Sequence, residues 1–198
     1  MKALILQATL KKKGQSNTQV LSEFFAEKLE KMNVVTEIVK LVDYTILPGT
    51  YSDMGGDDEW PQILKKILAA DIVIFSTPIW WDNHSSLMQR VIERLDEIHD
   101  EILSGKKSRL DGKVGGVIVT GDSDGAEYIV GNISNFFNNI GIAMPPYCNL
   151  TVLWRGQSKG EKTTREELMR KYKKEYSKAA ETMASQLIKF STMVSLQE

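Results

Sequence analysis

Ala3–Val20 reads ALILQATLKKKGQSNTQV: a short apolar run, a loop with three consecutive lysines, and the start of a helix. The run Ala3–Ala8 has the make-up of a strand covered on both faces. Ser16, followed three residues later by Gln19, makes a capping box in which the hydroxyl caps the helix and Gln19 reaches back. From Thr18 to Lys31 the apolar residues Val20, Leu21, Phe24, Phe25 and Leu29 recur at spacings of three and four, the signature of a helix with one buried face.

The alternation continues along the chain. VVTEIVKL (Val34–Leu41) reads as a second strand, and a turn-rich excursion, Tyr44–Trp60, precedes the helical PQILKKILAA. Gly55 and Gly56 mark that excursion as mobile, and its length makes it the expected place for substrate selectivity. DIVIFSTP (Asp71–Pro78) is a third strand, with one helix expected over Ser85–Ile102. KVGGVIVTG (Lys113–Gly121) is the fourth strand, followed by a helix over Ala126–Gly141. CNLTVLW (Cys148–Trp154) is the fifth, and a Lys- and Glu-rich helix from Arg165 to Phe190 ends the fold.

Five strands separated by helices imply an α/β fold with a doubly wound, five-stranded parallel sheet, because each parallel connection requires a crossover of a dozen or more residues. The common strand order, 2-1-3-4-5, puts strands 1 and 3 side by side at the topological switch, where ligands bind outside the carboxyl ends. The loops leaving those two strands are TLKKKGQSNT (Thr9–Thr18) and TPIWWDN (Thr77–Asn83).

Composition limits the alternatives. The chain has 198 residues, 42% hydrophobic and 26% charged, which suits a single domain over 1–198. A net charge of -1 provides no basic field for nucleic acid or anionic membrane. No apolar stretch is long enough to span a bilayer and no signal-peptide pattern opens the chain, so a cytoplasmic protein is expected. The single cysteine, Cys148, excludes an internal disulfide and a Cys-based zinc or iron-sulfur cage within one chain, and is read as a small buried apolar residue.

The first loop lacks the GxxxxGK[ST] pattern of a P-loop, since Gly14 is followed by Gln15. It offers instead a helix N-terminus with hydroxyls of Thr9, Ser16 and Thr18 and the amide of Asn17, a seat for a phosphate monoester. The second loop places Trp80 and Trp81 where polar turn residues are ordinary; both could complete a core or an interface, or border a flat ligand. A phosphate seat beside flat walls suits flavin mononucleotide (FMN).

With Thr9-x-Lys11, Ser16-Asn17-Thr18 and Thr77-Pro78-Ile79-Trp80-Trp81 in this order, the chain resembles the NAD(P)H-dependent FMN reductase family of the flavodoxin-like superfamily over about Met1–Thr151. That family commonly shows a Ser-x-Arg and Ser/Gly-Asn-Thr phosphate loop, and a Pro-x-Tyr-Trp/Phe flavin loop leading to a helix ending Lys-x-x-x-Asp-Arg. Thr9 and Lys11 stand here for Ser and Arg, Trp80 for Tyr, and Gln89, Glu93 and Arg94 match the helix ending with two changes. Lysine keeps the charge but lacks the bidentate fork of arginine. The iron-sulfur members of the wider group carry a cysteine cluster that is absent from Asp43–Trp60.

The resemblance implies that Thr9, Lys11, Ser16, Asn17 and Thr18 hold the FMN phosphate and that Pro78, Ile79, Trp80 and Trp81 border the isoalloxazine. It brings Thr120, Gly121 and Asp122 of TGDSDG (Thr120–Gly125) against the ring or ribityl side; a purely structural reading makes Ser123 or Asp124 the cap of the next helix. It further implies a two-stage reaction. NADPH or NADH reduces the flavin, and a quinone, nitroaromatic, azo compound or free flavin then takes the electrons. A homodimer or higher homo-oligomer is implied as well. His84 stands beside the flavin loop as a candidate proton donor, and His99 is read as surface. The alternatives are a flavodoxin-type electron carrier, against which the near-neutral charge argues, and a non-catalytic flavin-binding regulator. A phospho-receiver is excluded because Ala8-Thr9 and Thr77-Pro78 occupy its acidic positions.

Overall fold

The computed structural model describes residues 1–155 and 163–196. Its sheet has five parallel strands, β1 (Lys2–Gln7), β2 (Val35–Lys40), β3 (Ile72–Pro78), β4 (Val114–Gly121) and β5 (Asn149–Leu153), in the order β2-β1-β3-β4-β5. The crossovers are α1 (Asn17–Lys31), α2 (Trp60–Ala69), α3 (Ser86–Arg94) with α4 (Asp96–Leu103), and α5 (Ala126–Ile140). The helices α6 (Arg165–Glu175) and α7 (Ser177–Ser195) follow β5. This is the flavodoxin-like topology expected from the sequence.

Alternation along the strands divides the core between the two faces, since successive side chains point to opposite sides. Leu4, Leu6, Val73, Phe75, Val117 and Val119 join the side chains of α2, α3 and α5 on one face. Ala3, Ile5, Ile72, Ile74 and Ile118 meet α1, α6 and α7 on the other. Edge-on packing of Phe75 against Phe137, with ring centroids 4.7 Å apart, adds about 0.5–1.5 kcal/mol beyond the area it buries. Cys148 is buried in the second cluster, and burial pushes its thiol pKa up to about 12, so it is an inert apolar side chain.

Two long helices expected from the sequence are each broken once. The Ser85–Ile102 helix parts at Leu95, where the Glu97 N–H donates to the Thr50 carbonyl and the Glu97 carboxylate takes the Ser52 N–H. The backbone leaves the helical ladder there to meet the Tyr44–Trp60 excursion. The C-terminal helix parts at Tyr176, whose φ is -119°, so that α6 and α7 both pack on α1; it runs on to Ser195, beyond Phe190. His99 is half-buried on α4 and keeps part of its side chain at the surface.

The excursion is also less free than its glycines suggested. Arg94, fully buried, donates to the carbonyls of Tyr51 and Leu47 at 2.9 Å each and to Asp58 Oδ2 at 2.6 Å, and its guanidinium lies 5.6 Å from the Trp60 ring. Arg90 donates to the Ile46 carbonyl at 2.7 Å. Burial opposes ionisation of Asp58, but the Arg94 guanidinium and the N–H groups of Met54, Leu47 and Trp60 outweigh it and bring its pKa to about 2. The family-like arginine at the end of α3 therefore serves here as the clamp of this loop.

Candidate functional site

The parallel register sets the ends of β1, β3 and β4 level with one another. Gln7 pairs with Ser76, Thr77 with Val119, and Pro78 with Thr120. The Ala8 N–H donates to the Ser76 carbonyl and the Ile79 N–H to the Thr120 carbonyl, both at 2.8 Å, so the three departing loops start from one rigid edge. Above that edge lies a cleft of about 640 Å³, within the range of about 300–1,000 Å³ usual for small-molecule sites.

Its first wall is the Thr9–Thr18 loop. Ser16 is the N-cap of α1 and accepts the Gln19 N–H at 3.3 Å, while its own hydroxyl donates to Thr9 Oγ1 at 2.8 Å. The reciprocal arm of the expected capping box is absent, because the Gln19 amide turns along the helix to Glu23 Oε1 at 3.0 Å. Thr18 Oγ1 shares a hydrogen bond of 2.8 Å with Thr120 Oγ1, which ties the first loop to the end of β4. Lys11 folds back with Nζ 3.1 Å from the Gln15 carbonyl and keeps its charge at the cleft. The positive end of the α1 dipole and this ammonium make this the anion-favouring end.

The second wall is Pro78–Asp82. Trp80 and Asn83 exchange backbone hydrogen bonds, Trp80 N–H to Asn83 O at 2.7 Å and Asn83 N–H to Trp80 O at 3.0 Å. The two residues between them have positive φ, 50° at Trp81 and 61° at Asp82, the pattern of a type I′ turn. Asn-Gly is the favoured pair for such a turn, and a bulky side chain there is an outlier. The turn holds Trp80 51% and Trp81 93% exposed, so neither indole completes the core of the chain. Below it, Thr77 Oγ1 accepts the Ser85 N–H at 3.0 Å and the Ser85 hydroxyl donates to the Ala8 carbonyl at 2.7 Å, fixing the start of α3 to the sheet edge.

The third wall follows β4. Thr120, Gly121 and Asp122 face the cleft, joined by Ser123 and Asp124. Gly121 is packed against Ile79: a Cβ there would lie 2.4 Å from Ile79 Cδ1. Neither Ser123 nor Asp124 caps α5. Its N-cap is Gly125, at φ 98°, with no side-chain hydrogen bond. Asp82, Asp122 and Asp124 add three carboxylates to the lining of the cleft.

The residues expected to bind the cofactor, Thr9, Lys11, Ser16, Asn17, Thr18, Pro78, Ile79, Trp80, Trp81, Thr120, Gly121 and Asp122, all line this one cleft. Ser123 and Asp124 of the TGDSDG loop line it too, as do Leu10 and Asp82, which were not anticipated; their adjacency to the named residues was the available signal. His84 is not among the lining residues. It is buried, with Nε2 2.8 Å from Gln89 Oε1, and the Gln89 amide donates to Glu93 Oε1 at 3.1 Å. That network makes His84 Nε2 the donor, and Nδ1 has no hydrogen-bond partner among the described residues.

The donors fit FMN. Hydroxyls, a helix N-terminus and an ammonium suit its phosphate, and exposed indoles suit a planar ring. Among the described residues there is no group of carboxylates, histidines and thiols that could hold a metal ion, and no helix long and apolar enough to cross a membrane.

Known proteins resemble the chain in sequence and fold. The model of the NADPH-dependent FMN reductase family matches residues 1–152. The chain is 31% identical over 166 residues to the 8-demethyl-8-aminoriboflavin-5′-phosphate synthase of Streptomyces davaonensis, covering 79% of this chain and 64% of that protein. It is 30% identical over 163 residues to the divalent metal cation transporter MntH of Mycobacterium bovis, covering 80% of this chain but only 24% of that protein. Among solved structures, RosB with bound intermediate 8-demethyl-8-formylriboflavin-5′-phosphate superposes with a TM-score of 0.83 at 27% identity, over 99% of this chain and 81% of that one.

Proposed function

The chain belongs to the NADPH-dependent FMN reductase family, and from that premise we propose that it is an FMN-dependent NAD(P)H oxidoreductase that serves a small electron acceptor. The observation that carries the reading is the convergence of three loops on one cleft that holds a helix N-terminus with the Lys11 ammonium and an exposed aromatic pair. In this reading Thr9, Lys11, Ser16, Asn17 and Thr18 hold the FMN phosphate, Pro78–Trp81 border the ring, and Thr120–Asp122 lie along its other side. Residues 1–198 act as one domain.

Bound FMN would supply the hydride chemistry, accepting from NADPH or NADH and passing electrons to a quinone, nitroaromatic, azo compound or flavin in a second stage. The protein's contribution is position and electrostatics. Lys11 and the α1 terminus neutralise the dianionic phosphate, and the strained turn presents Trp80 and Trp81 to the ring. No side chain of the cleft is required to act as acid or base.

The test is the visible spectrum of the purified chain with FMN added and the excess removed, followed by anaerobic NADPH and NADH. A retained flavin spectrum bleached by either nucleotide supports the reading; a chain that retains no flavin refutes it. Parallel lines in steady-state kinetics are expected for the two-stage order, and intersecting lines would contradict it. Lys11→Ala should weaken FMN more than riboflavin, which lacks the phosphate.

A second reading is favoured by one comparison. The relative from Streptomyces davaonensis is named for making a modified riboflavin phosphate, and RosB holds a riboflavin phosphate intermediate. The same cleft would then hold a flavin phosphate as substrate. Chromatography of the flavin after turnover separates the two: FMN recovered unchanged supports the cofactor role, and a flavin of altered mass supports the substrate role.

A further inference from the structure

We propose that the cleft between the end of β5 and α6 is the subsite for the 2′-phosphate-bearing end of NADPH, an inference that rests on the reductase reading. This second cleft, of about 590 Å³, is lined by Trp154 and by α6 residues including Glu167, Arg170, Lys171 and Lys174. It adjoins the flavin cleft. Gly121, in the wall of the first cleft, pairs with Leu153, and its carbonyl accepts the Trp154 N–H at 2.9 Å. Trp154 therefore stands one strand spacing, about 4.8 Å, from the wall of the first cleft. Gln15 of the phosphate loop donates to the Thr163 carbonyl, so the first loop borders both clefts. A dinucleotide whose nicotinamide meets the flavin has a short path over this edge.

The chemistry of the second cleft is that of an anion beside a flat ring. Trp154 packs on the core and carries the Lys171 ammonium 5.1 Å from its ring; Lys171 is held by Glu175 at 2.8 Å. The other paired cations of α6 have partners across the helix interface, Arg165 with Glu23 at 2.9 Å and Lys173 with Glu27 at 3.3 Å. Arg170 and Lys174 form no salt bridge among the described residues. Two carboxylates line the cleft as well: Glu167 caps α6, accepting the Thr164 N–H at 2.7 Å, and feels the Arg170 charge, while Glu175 holds Lys171. Arg170 and Lys174 are four residues apart, on one face of the helix, and like charges at that spacing repel. A dianion between them relieves that repulsion, and an arginine fork with a lysine is a common donor set for a phosphate monoester. NADPH carries such a group on its adenosine ribose and NADH does not. The site would therefore set the preference for NADPH.

The test is calorimetric titration of the full chain, with and without saturating FMN, using adenosine 2′,5′-bisphosphate and adenosine 5′-monophosphate. The bisphosphate should bind on the order of tenfold more tightly, as two charge-assisted contacts would give in an open cleft. Arg170→Ala/Lys174→Ala should bring the two ligands to parity, and Arg170→Lys should keep most of the preference. Both side chains lie on the exposed face of α6, so the variants are expected to fold. Parity in the wild-type chain, or a preference that survives the double substitution, overturns the subsite. FMN retention is read separately by absorbance. Retained FMN with parity overturns the subsite alone; a 2′-phosphate preference without FMN retention keeps the nucleotide site and overturns the reductase reading.

Discussion

Replacing Trp81 and Asp82 together by Asn and Gly should make the protein more stable and its flavin binding weaker. Both residues have positive φ in a turn closed by Trp80 and Asn83. A non-glycine residue in such a region costs on the order of 1–3 kcal/mol, with aspartate toward the low end because its short polar side chain tolerates the left-handed conformation. Taking about 1 kcal/mol for Asp82 and about 1–2 kcal/mol for Trp81 gives about 2–3 kcal/mol of stored strain. Asn-Gly relieves most of it, and the added glycine returns about 0.5–1 kcal/mol through the entropy of the unfolded chain. Trp81 is 93% exposed, so its removal forfeits little packing. Asp82 lies against Gly125, and a smaller residue there creates no clash. The net gain is about 1–2 kcal/mol, a rise in Tm of roughly 2–8 °C for a chain of this size.

Binding should move the other way. Stacking of a flat ring on an aromatic side chain is worth about 1–3 kcal/mol, so losing the Trp81 indole should weaken FMN by roughly 5- to 150-fold. Thermal unfolding followed by circular dichroism without FMN reads the first effect, and quenching of flavin fluorescence reads the second. An unchanged or lower Tm would show that the turn is not strained. Undiminished FMN affinity would show that the exposed indole has no part in the site.

Gly121→Ala drives a methyl group to within 2.4 Å of Ile79 Cδ1; the side chain must swing into the cleft, and FMN affinity should fall while stability drops by about 1–3 kcal/mol. Asp58→Ala leaves the Arg94 guanidinium buried without its counter-charge, so denaturant unfolding should show a loss of roughly 3–5 kcal/mol, and a loss below 1 kcal/mol would mean that the excursion is not clamped as described. Because the folded-state pKa of Asp58, about 2, lies below its ordinary value of 3.8, its contribution is fully present above that ordinary value and disappears as pH falls toward 2. After solvent screening this acid-labile part should be about 1–2 kcal/mol, and Asp58→Asn should flatten the stability profile over that window. Cys148, its thiol pushed up to about 12 by burial, should resist iodoacetamide at pH 8 in the folded chain and react after denaturation; modification of native protein at the rate of a free thiol would contradict the buried position.

The sheet and the location of the cleft were legible because both depend on local signals. Apolar runs such as Ile72–Phe75 announce strands buried on two faces, and the lengths of the intervening helices force parallel crossovers. Once the order β2-β1-β3-β4-β5 follows, the switch-point rule selects the loops after β1 and β3 without reference to a ligand. What stayed hidden depends on partners distant in sequence. Arg94 is marked in the sequence only as part of the family's helix ending, yet its hydrogen bonds reach Leu47, Tyr51 and Asp58 and it is fully buried. The break at Leu95 follows from Glu97 meeting Thr50 and Ser52, so no helical periodicity between Ser85 and Ile102 reveals it.

The tryptophan pair shows the same division most sharply. Residue type marks Trp80 and Trp81 as unusual for a loop, but composition cannot separate an indole that fills a core from one held out of it. The left-handed backbone at Trp81 makes that separation, because a side chain seeking burial would not keep a strained turn that exposes it. Periodicity reports what each element buries. The site is built from what the elements leave unburied at the end of the sheet, and there the backbone conformation, not the pattern of residues, carries the information.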